Sequence, residues 1–170
     1  MTVRRSHTVI ESPIGPLTLI AENGRLVGVH MEITRYEPVA ATLGTAVGCD
    51  DEPVLASAAK QLDAYFDGEL TGFDLPLTLD GSPFQQSVWA ALQDIPYGQT
   101  TSYGELARRI GSPSASRAVG LANGRNPVSI VVPCHRVIGA DGSLTGYGGG
   151  MDRKRYLLTL EQRVSGQTLI

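Results

Sequence analysis

Cysteine is scarce in this 170-residue chain: Cys49 and Cys134 are the whole complement. One disulfide is arithmetically available, but two cysteines do not make the bridged scaffold of a small secreted domain. Both therefore read as free thiols. Long apolar runs are missing too, and nothing approaches the length of a membrane span. The N-terminal stretch MTVRRSHTVIESP has two arginines but neither an apolar core nor a small-residue cleavage site. No signal peptide is expected, and the cytoplasm is the expected compartment. Internal repeats and low-complexity tracts are absent. His7, His30 and Cys49 fit no zinc-ligand spacing and have no fourth partner, so no metal and no cofactor are expected. The single tryptophan, Trp89, reads as core.

What is present is ordinary in bulk and uneven in distribution. Apolar residues make 42% and charged residues 18% of the chain, the balance of a globular protein with a real core. The length suits one large domain or two small ones. Residues 1–81 carry five Lys/Arg against twelve Asp/Glu, a net of −7; residues 82–170 carry nine against five, a net of +4. That asymmetry suggests two domains, the second facing a polyanion, although a net of +4 is also compatible with a solvated face.

The first half reads as α/β. Strands are expected at 7–11, 17–22 and 25–31, the last two joined by Asn23-Gly24, a strong hairpin signal. A polar loop follows to about Cys49. A helix capped by Asp50 or Asp51 places Val54, Ala58, Leu62 and Tyr65/Phe66 on one face and ends at Gly68. Phe73–Leu79 alternates like a further strand.

After Gly81 the texture becomes helical. Ser82, Pro83 and Gln85 form a capping box ahead of Phe84, Val88, Leu92 and Ile95. Ser102 and Glu105 form a second box opening SYGELARRI, with Leu106 and Ile110 inward. Gly111-Ser112-Pro113 makes a turn, and Ser114 is expected to cap ASRAVGLANG. Two short helices so joined make a helix-turn-helix candidate. The second helix is rich in small residues. It suits either close packing on another helix or a backbone pressed into a narrow groove. Asn126-Pro127 breaks it, and the apolar run 128–132 reads as a buried strand leading to PCHRVIG (133–139). A glycine-rich loop spans 141–150. A last helix, 153–164, is expected to turn Tyr156, Leu157 and Leu160 inward.

Cys134 thus ends a buried run, followed by His135 and Arg136. A thiolate is a strong nucleophile if a base or positive charge stands near it. Adjacent side chains on a strand point apart, so direct contact with His135 needs a turn or a bridging water. The residues by themselves allow a buried structural cysteine or an activated one.

The wider pattern separates these. RAVGLANGRNPVSIVVPCHRVIG (117–139), FQQSVWAALQDIPYGQTTSYGELA (84–107), LTGYGGG (144–150) and KRYLLTLE (154–161) resemble the O6-alkylguanine-DNA alkyltransferases of the bacterial stand-alone type. SPIGPLTL (12–19) resembles their N-terminal domain. The resemblance implies a ribonuclease H-like α/β domain over 1–81. It also implies a mainly α domain over 82–170 with a winged helix-turn-helix-like unit for DNA binding and the active site. Cys134 is then the alkyl acceptor, His135 the base that takes its proton through a water, Glu161 the carboxylate orienting His135, and Asn126 a turn residue of the active site. Tyr103 and Arg117 are implied for base flipping, with Ser102, Ser116, Ala118, Gly120 and Asn123 beside them on DNA. Pro133, Val137, Tyr147, Gly148 and Gly149 are implied to line the base pocket. Glycines 148 and 149 stand where other relatives carry side chains.

The implied activity is irreversible, single-turnover transfer of an alkyl group from O6-alkylguanine in duplex DNA, with O4-alkylthymine a second candidate. The partner is double-stranded DNA, with self-association on DNA allowed; no membrane and no small-molecule cofactor are implied. The physics is consistent. The reacting carbon is buried in the duplex, so the nucleotide must be flipped out. A helix of small residues can enter the minor groove, where little sequence is read. Two rivals stand beside this reading. A cysteine hydrolase needs an oxyanion hole as well. A non-catalytic alkyltransferase-like module replaces the acceptor cysteine, which this chain keeps.

Overall fold

The computed structural model describes residues 4–31, 43–144 and 150–166. They form two compact units, one of residues 1–80 with 127–131, the other of 81–126 with 132–170. The units divide at Asp80/Gly81, where the sequence suggests 81/82, and residues 127–131 of the C-terminal half fall in the first unit.

The first unit is built on a four-stranded sheet of β1 (Arg5–Ile10), β2 (Leu17–Glu22), β3 (Arg25–Met31) and β4 (Thr45–Ala46), in the order β3-β2-β1-β4. Asn23 and Gly24 turn β2 into β3, both at positive φ (53° and 79°), which fits a type I′ turn. Arg5 and Glu22 are register partners and an ion pair at 2.7 Å. Helix α1 (Pro53–Phe66) buries Val54, Leu55, Ala58, Leu62 and Tyr65. Its cap is Glu52, whose carboxylate accepts from the Val54 N–H; the expected caps Asp50 and Asp51 lie in a preceding 3₁₀ turn, Cys49–Asp51.

Two expected strands are reduced to bridges. In 73–79 only Leu77 bridges, to Leu26, because Pro76 has no N–H with which to extend a ladder. In 128–132 Val128 bridges Val29, and the chain then turns sharply. The Val131 N–H reaches the Ser129 carbonyl at 2.9 Å across Ile130, whose φ is +73°. A β-branched residue there is strained, in the rarer form of γ-turn.

The second unit holds α2 (Pro83–Gln93), α3 (Tyr103–Arg109), α4 (Ser116–Gly124) and α5 (Met151–Ser165), with a two-stranded parallel ladder of β5 (Thr101–Ser102) and β6 (Val137–Ile138). The Ser82/Gln85 box caps α2 in both directions. Ser102 caps α3, but Glu105 turns to Arg108 instead of closing its box. Helix α4 starts after Ala115 with no side-chain cap, so Ser114 does not serve. Trp89 is buried and donates its indole N–H to the Ala122 carbonyl at 2.8 Å, fixing α2 to α4. On α5 the inward residues are Lys154, Leu157, Leu158, Leu160 and Glu161; Tyr156, expected inside, is 39% exposed.

Candidate active site and DNA-facing helix

Cys134 is delivered by two successive tight turns. After the Ile130 turn, the Cys134 N–H bonds the Val132 carbonyl at 2.8 Å across Pro133 (φ −82°, ψ 65°), an inverse γ-turn. Cys134–Arg136 then forms a single 3₁₀ turn. The stretch is therefore no strand at the cysteine, and the objection that adjacent side chains point apart does not apply. Two asparagines hold these turns from α4 and its end. Asn126 donates to the Val132 carbonyl at 2.7 Å, and Asn123 donates to the Cys134 carbonyl at 3.3 Å. Cys134, Asn123 and Asn126 are all buried.

Behind the cysteine lies a buried charge cluster. Glu161 on α5 is 1% exposed and accepts hydrogen bonds on both oxygens. One oxygen takes the Gly98 N–H at 3.2 Å and the Arg136 Nε–H at 2.8 Å; the other takes the His135 Nε2–H at 2.6 Å and an Arg136 Nη2–H at 3.1 Å. Arg136 also donates to the Ile95 carbonyl and sits over the Tyr97 ring, 5.6 Å from its centroid. Burial alone would raise the Glu161 carboxyl, but the hydrogen bonds from His135 and Arg136 and the Arg136 charge hold it well below the usual carboxylate range.

That arrangement assigns the His135 tautomer. Burial keeps the imidazole neutral by lowering its pKa, against the opposing pull of Glu161. An ionised Glu161 can only accept, so Nε2 carries the hydrogen. The Nδ1 lone pair is then the free base, and it is buried without a hydrogen-bond partner. The second buried cation, Lys154, donates to the Val137 carbonyl at 2.6 Å. Desolvation lowers its pKa to about 8, while the charge of the nearby Cys134 pulls upward. Cys134 thus has an unpartnered base on one neighbour and a buried ammonium close by, the two things a reactive thiol needs.

Helix α4 divides its residues between two faces. Val119, Ala122 and Asn123 are buried, while Arg117, Ala118, Leu121 and Arg125 are exposed. Asn123, expected among DNA-facing residues, is 1% exposed and turns inward to the Cys134 carbonyl instead. Ser116 and Gly120 are half-buried on the flank. At the two glycines of this helix, close packing does not require the small residue. A Cβ on Gly120 would meet only the Tyr103 ring, at an ordinary 3.8 Å, and one on Gly124 would meet nothing within 4 Å. Neither is required by packing. Ser102 and Tyr103 sit where β5 runs beside β6, with Ser102 paired to Ile138, so α3 begins next to the segment that leaves Cys134. Pro133 and Val137 are buried around the cysteine turn. Tyr147, Gly148 and Gly149 lie outside the described residues.

Lys154, the pairing of Arg136 with Glu161 and the inward role of Asn123 are missed by sequence reasoning. A signal existed for Lys154: it stands three and seven residues before Leu157 and Glu161, on the buried face of α5. Among the described residues no three metal-ligating side chains come together, and no helix is long and apolar enough to cross a membrane.

A two-unit α/β and helical chain with a cysteine–histidine–carboxylate site beside a helix-turn-helix defines a nucleic-acid-directed thiol chemistry. The comparisons give it a family. Residues 6–79 match the ribonuclease-like domain of 6-O-methylguanine DNA methyltransferase, and residues 83–163 match its DNA-binding domain. The methylated-DNA–protein-cysteine methyltransferase of Mycolicibacterium paratuberculosis is 56% identical over 164 residues, 96% of each chain. That of Methanosarcina acetivorans is 49% identical, covering 91% of this chain and 97% of its own. The crystal structure of Mycobacterium tuberculosis OGT in complex with DNA superposes with a TM-score of 0.87 at 55% identity, covering 94% of both chains. The chain belongs to the 6-O-methylguanine DNA methyltransferase family.

Proposed function

We propose that this protein repairs duplex DNA by direct reversal, moving one alkyl group from the O6 of a flipped guanine to Cys134. The observation that carries the chemistry is the His135 ring. Its Nε2–H is fixed on Glu161, and its Nδ1 lone pair is buried and unpartnered on the residue that directly follows Cys134. The thiol proton passes to Nδ1 through one bridging water, and Lys154 steadies the thiolate. The sulfur attacks the alkyl carbon in line, an S–C bond forms, and the C–O bond breaks with its electron pair left on guanine. The base takes up one proton and is restored. The product on Cys134 is a thioether, which no site group can displace, so each molecule acts once.

The remaining residues serve access. Arg117 fills the space vacated by the flipped base, and Tyr103 presses on the backbone of the flipped nucleotide. Ser102, Ser116, Ala118 and Gly120 allow close approach of the strands. Pro133, Val137, Tyr147, Gly148 and Gly149 line the base pocket. Asn126, with Asn123, holds the turns that carry the acceptor. The DNA complex of the M. tuberculosis relative and the clear face of α4 support DNA as partner. The reading places the protein in the reducing cytoplasm, where a free thiol persists.

Intact mass before and after incubation with a duplex carrying O6-methylguanine tests this. One added CH2 unit per molecule, located on the peptide with Cys134 and followed by no further turnover, is expected. Repeated turnover, or steady hydrolysis of esters, would point to the cysteine hydrolase instead.

A further inference from the structure

Leu121 has no part in the mechanism so far, and its position is unusual. It is 58% exposed, and among the described residues only Val9 and Tyr156 are other large apolar side chains in that condition. It lies four residues after Arg117 and four before Arg125, so the three share one exposed line along α4, with Leu121 between two cations. No acidic residue occurs in SRAVGLANG. Gly120 and the more distant Gly124 leave bare backbone near it, since neither glycine position is crowded by the protein. The leucine therefore projects as a single apolar tip from a smooth, basic ridge.

We infer that Leu121 is an apolar wedge that enters the minor groove one helical turn from Arg117 and selects duplex over single-stranded substrate. The inference rests on the DNA-repair reading of α4 and deepens it. The walls of the minor groove are deoxyribose C–H surfaces about 6 Å apart, narrow enough for an inserted leucine to touch both. Groove-binding proteins use such side chains to hold a kinked duplex open. A cationic ridge without a carboxylate suits two phosphate-lined walls better than an apolar protein surface. A single strand offers one wall only, so the contact is lost there.

The test compares second-order alkyl-transfer rates of Leu121→Ala and the parent protein on three substrates below saturation: an O6-methylguanine duplex, the same strand unpaired, and free O6-benzylguanine. Removing the groove contact of a leucine should slow the duplex about tenfold. The single strand should slow less than about threefold, by loss of the second wall, and the free base not at all. The salt dependence should keep its slope, because no phosphate contact is removed. Leu121→Met should restore the duplex rate. An unchanged duplex rate, an equal loss on both DNA forms, or a loss on the free base overturns the wedge. A parent protein inert toward all three substrates would instead overturn the repair reading beneath it.

Discussion

The two faces of α4 are made from one nine-residue segment and do opposite things. The inner face is polar where it matters: the Ala122 carbonyl accepts from the Trp89 indole, and the Asn123 amide N–H donates to the Cys134 carbonyl. The outer face is bare backbone, Arg117, Ala118 and Leu121, with Arg125 at the C-cap. The inner face holds the turn that carries the sulfur; in the function proposed above, the outer face meets the DNA. The difference also predicts how damage to each side will read out. Inner-side changes should slow every substrate, and outer-side changes should slow only DNA.

The largest effect belongs to Glu161, which satisfies both His135 and Arg136. Glu161→Gln keeps the shape but leaves the Arg136 cation in a buried place without its countercharge. Breaking one partner of such a cluster costs about 3–5 kcal/mol of stability. Loss of the oriented base should slow alkyl transfer by a further 10²–10⁴-fold, roughly, on duplex and free base alike. The pH profile carries a sign as well. His135 is depressed by burial and raised by Glu161, so its acid limb lies below the ordinary histidine value in the parent protein. Removing the carboxylate should move that limb to still lower pH. Equal rates for the variant and the parent protein, or a limb moving upward, would show that Glu161 does not orient the base.

How far the sequence alone reaches differs between these regions for a physical reason. The Asn23-Gly24 hairpin and the Ser82/Gln85 capping box are legible because the chain segments that form them are adjacent. Residues 73–79 read as a strand because they alternate and 128–132 because they form an apolar run, while the pairing partners at Leu26 and Val29, which limit each to a bridge, are invisible from within those segments. Asn123 reads as a DNA contact because polar residues are assumed to face out; its spacing from Val119 and Ala122 places it inside. Lys154 is overlooked on the same assumption. The union of Cys134, His135 and Glu161 is reached through family resemblance, because nothing local links a 3₁₀ turn to a carboxylate on a later helix.

The outer face has its intermediate test in Arg117→Ala. The side chain is exposed, so stability should change little. Without it the extruded state loses part of the few kcal/mol needed to unstack a base, about tenfold to a hundredfold in duplex rate. Reaction with free O6-benzylguanine should hold at the parent value. Equal slowing of both substrates would make Arg117 a structural or thiol-activating charge, and would remove the distinction between the faces.

The smallest effect is the most discriminating. Gly120 is a glycine in a helix, which by itself lowers stability by about 0.5–1 kcal/mol relative to alanine. The added methyl of Gly120→Ala would meet only the Tyr103 ring at 3.8 Å, an ordinary contact. The variant should therefore melt about 2–4 °C higher, as expected for a gain near 1 kcal/mol in a chain of this size. If the glycine is kept for close approach of the DNA backbone, the same methyl should hold the strand away and slow duplex repair about threefold, since a lost contact of under 1 kcal/mol is a factor of a few. Calorimetry and a duplex rate measurement on one preparation decide it. A variant that is both more stable and as fast would show that the outer face does not need bare backbone at this position. A less stable one would show that Gly120 serves packing.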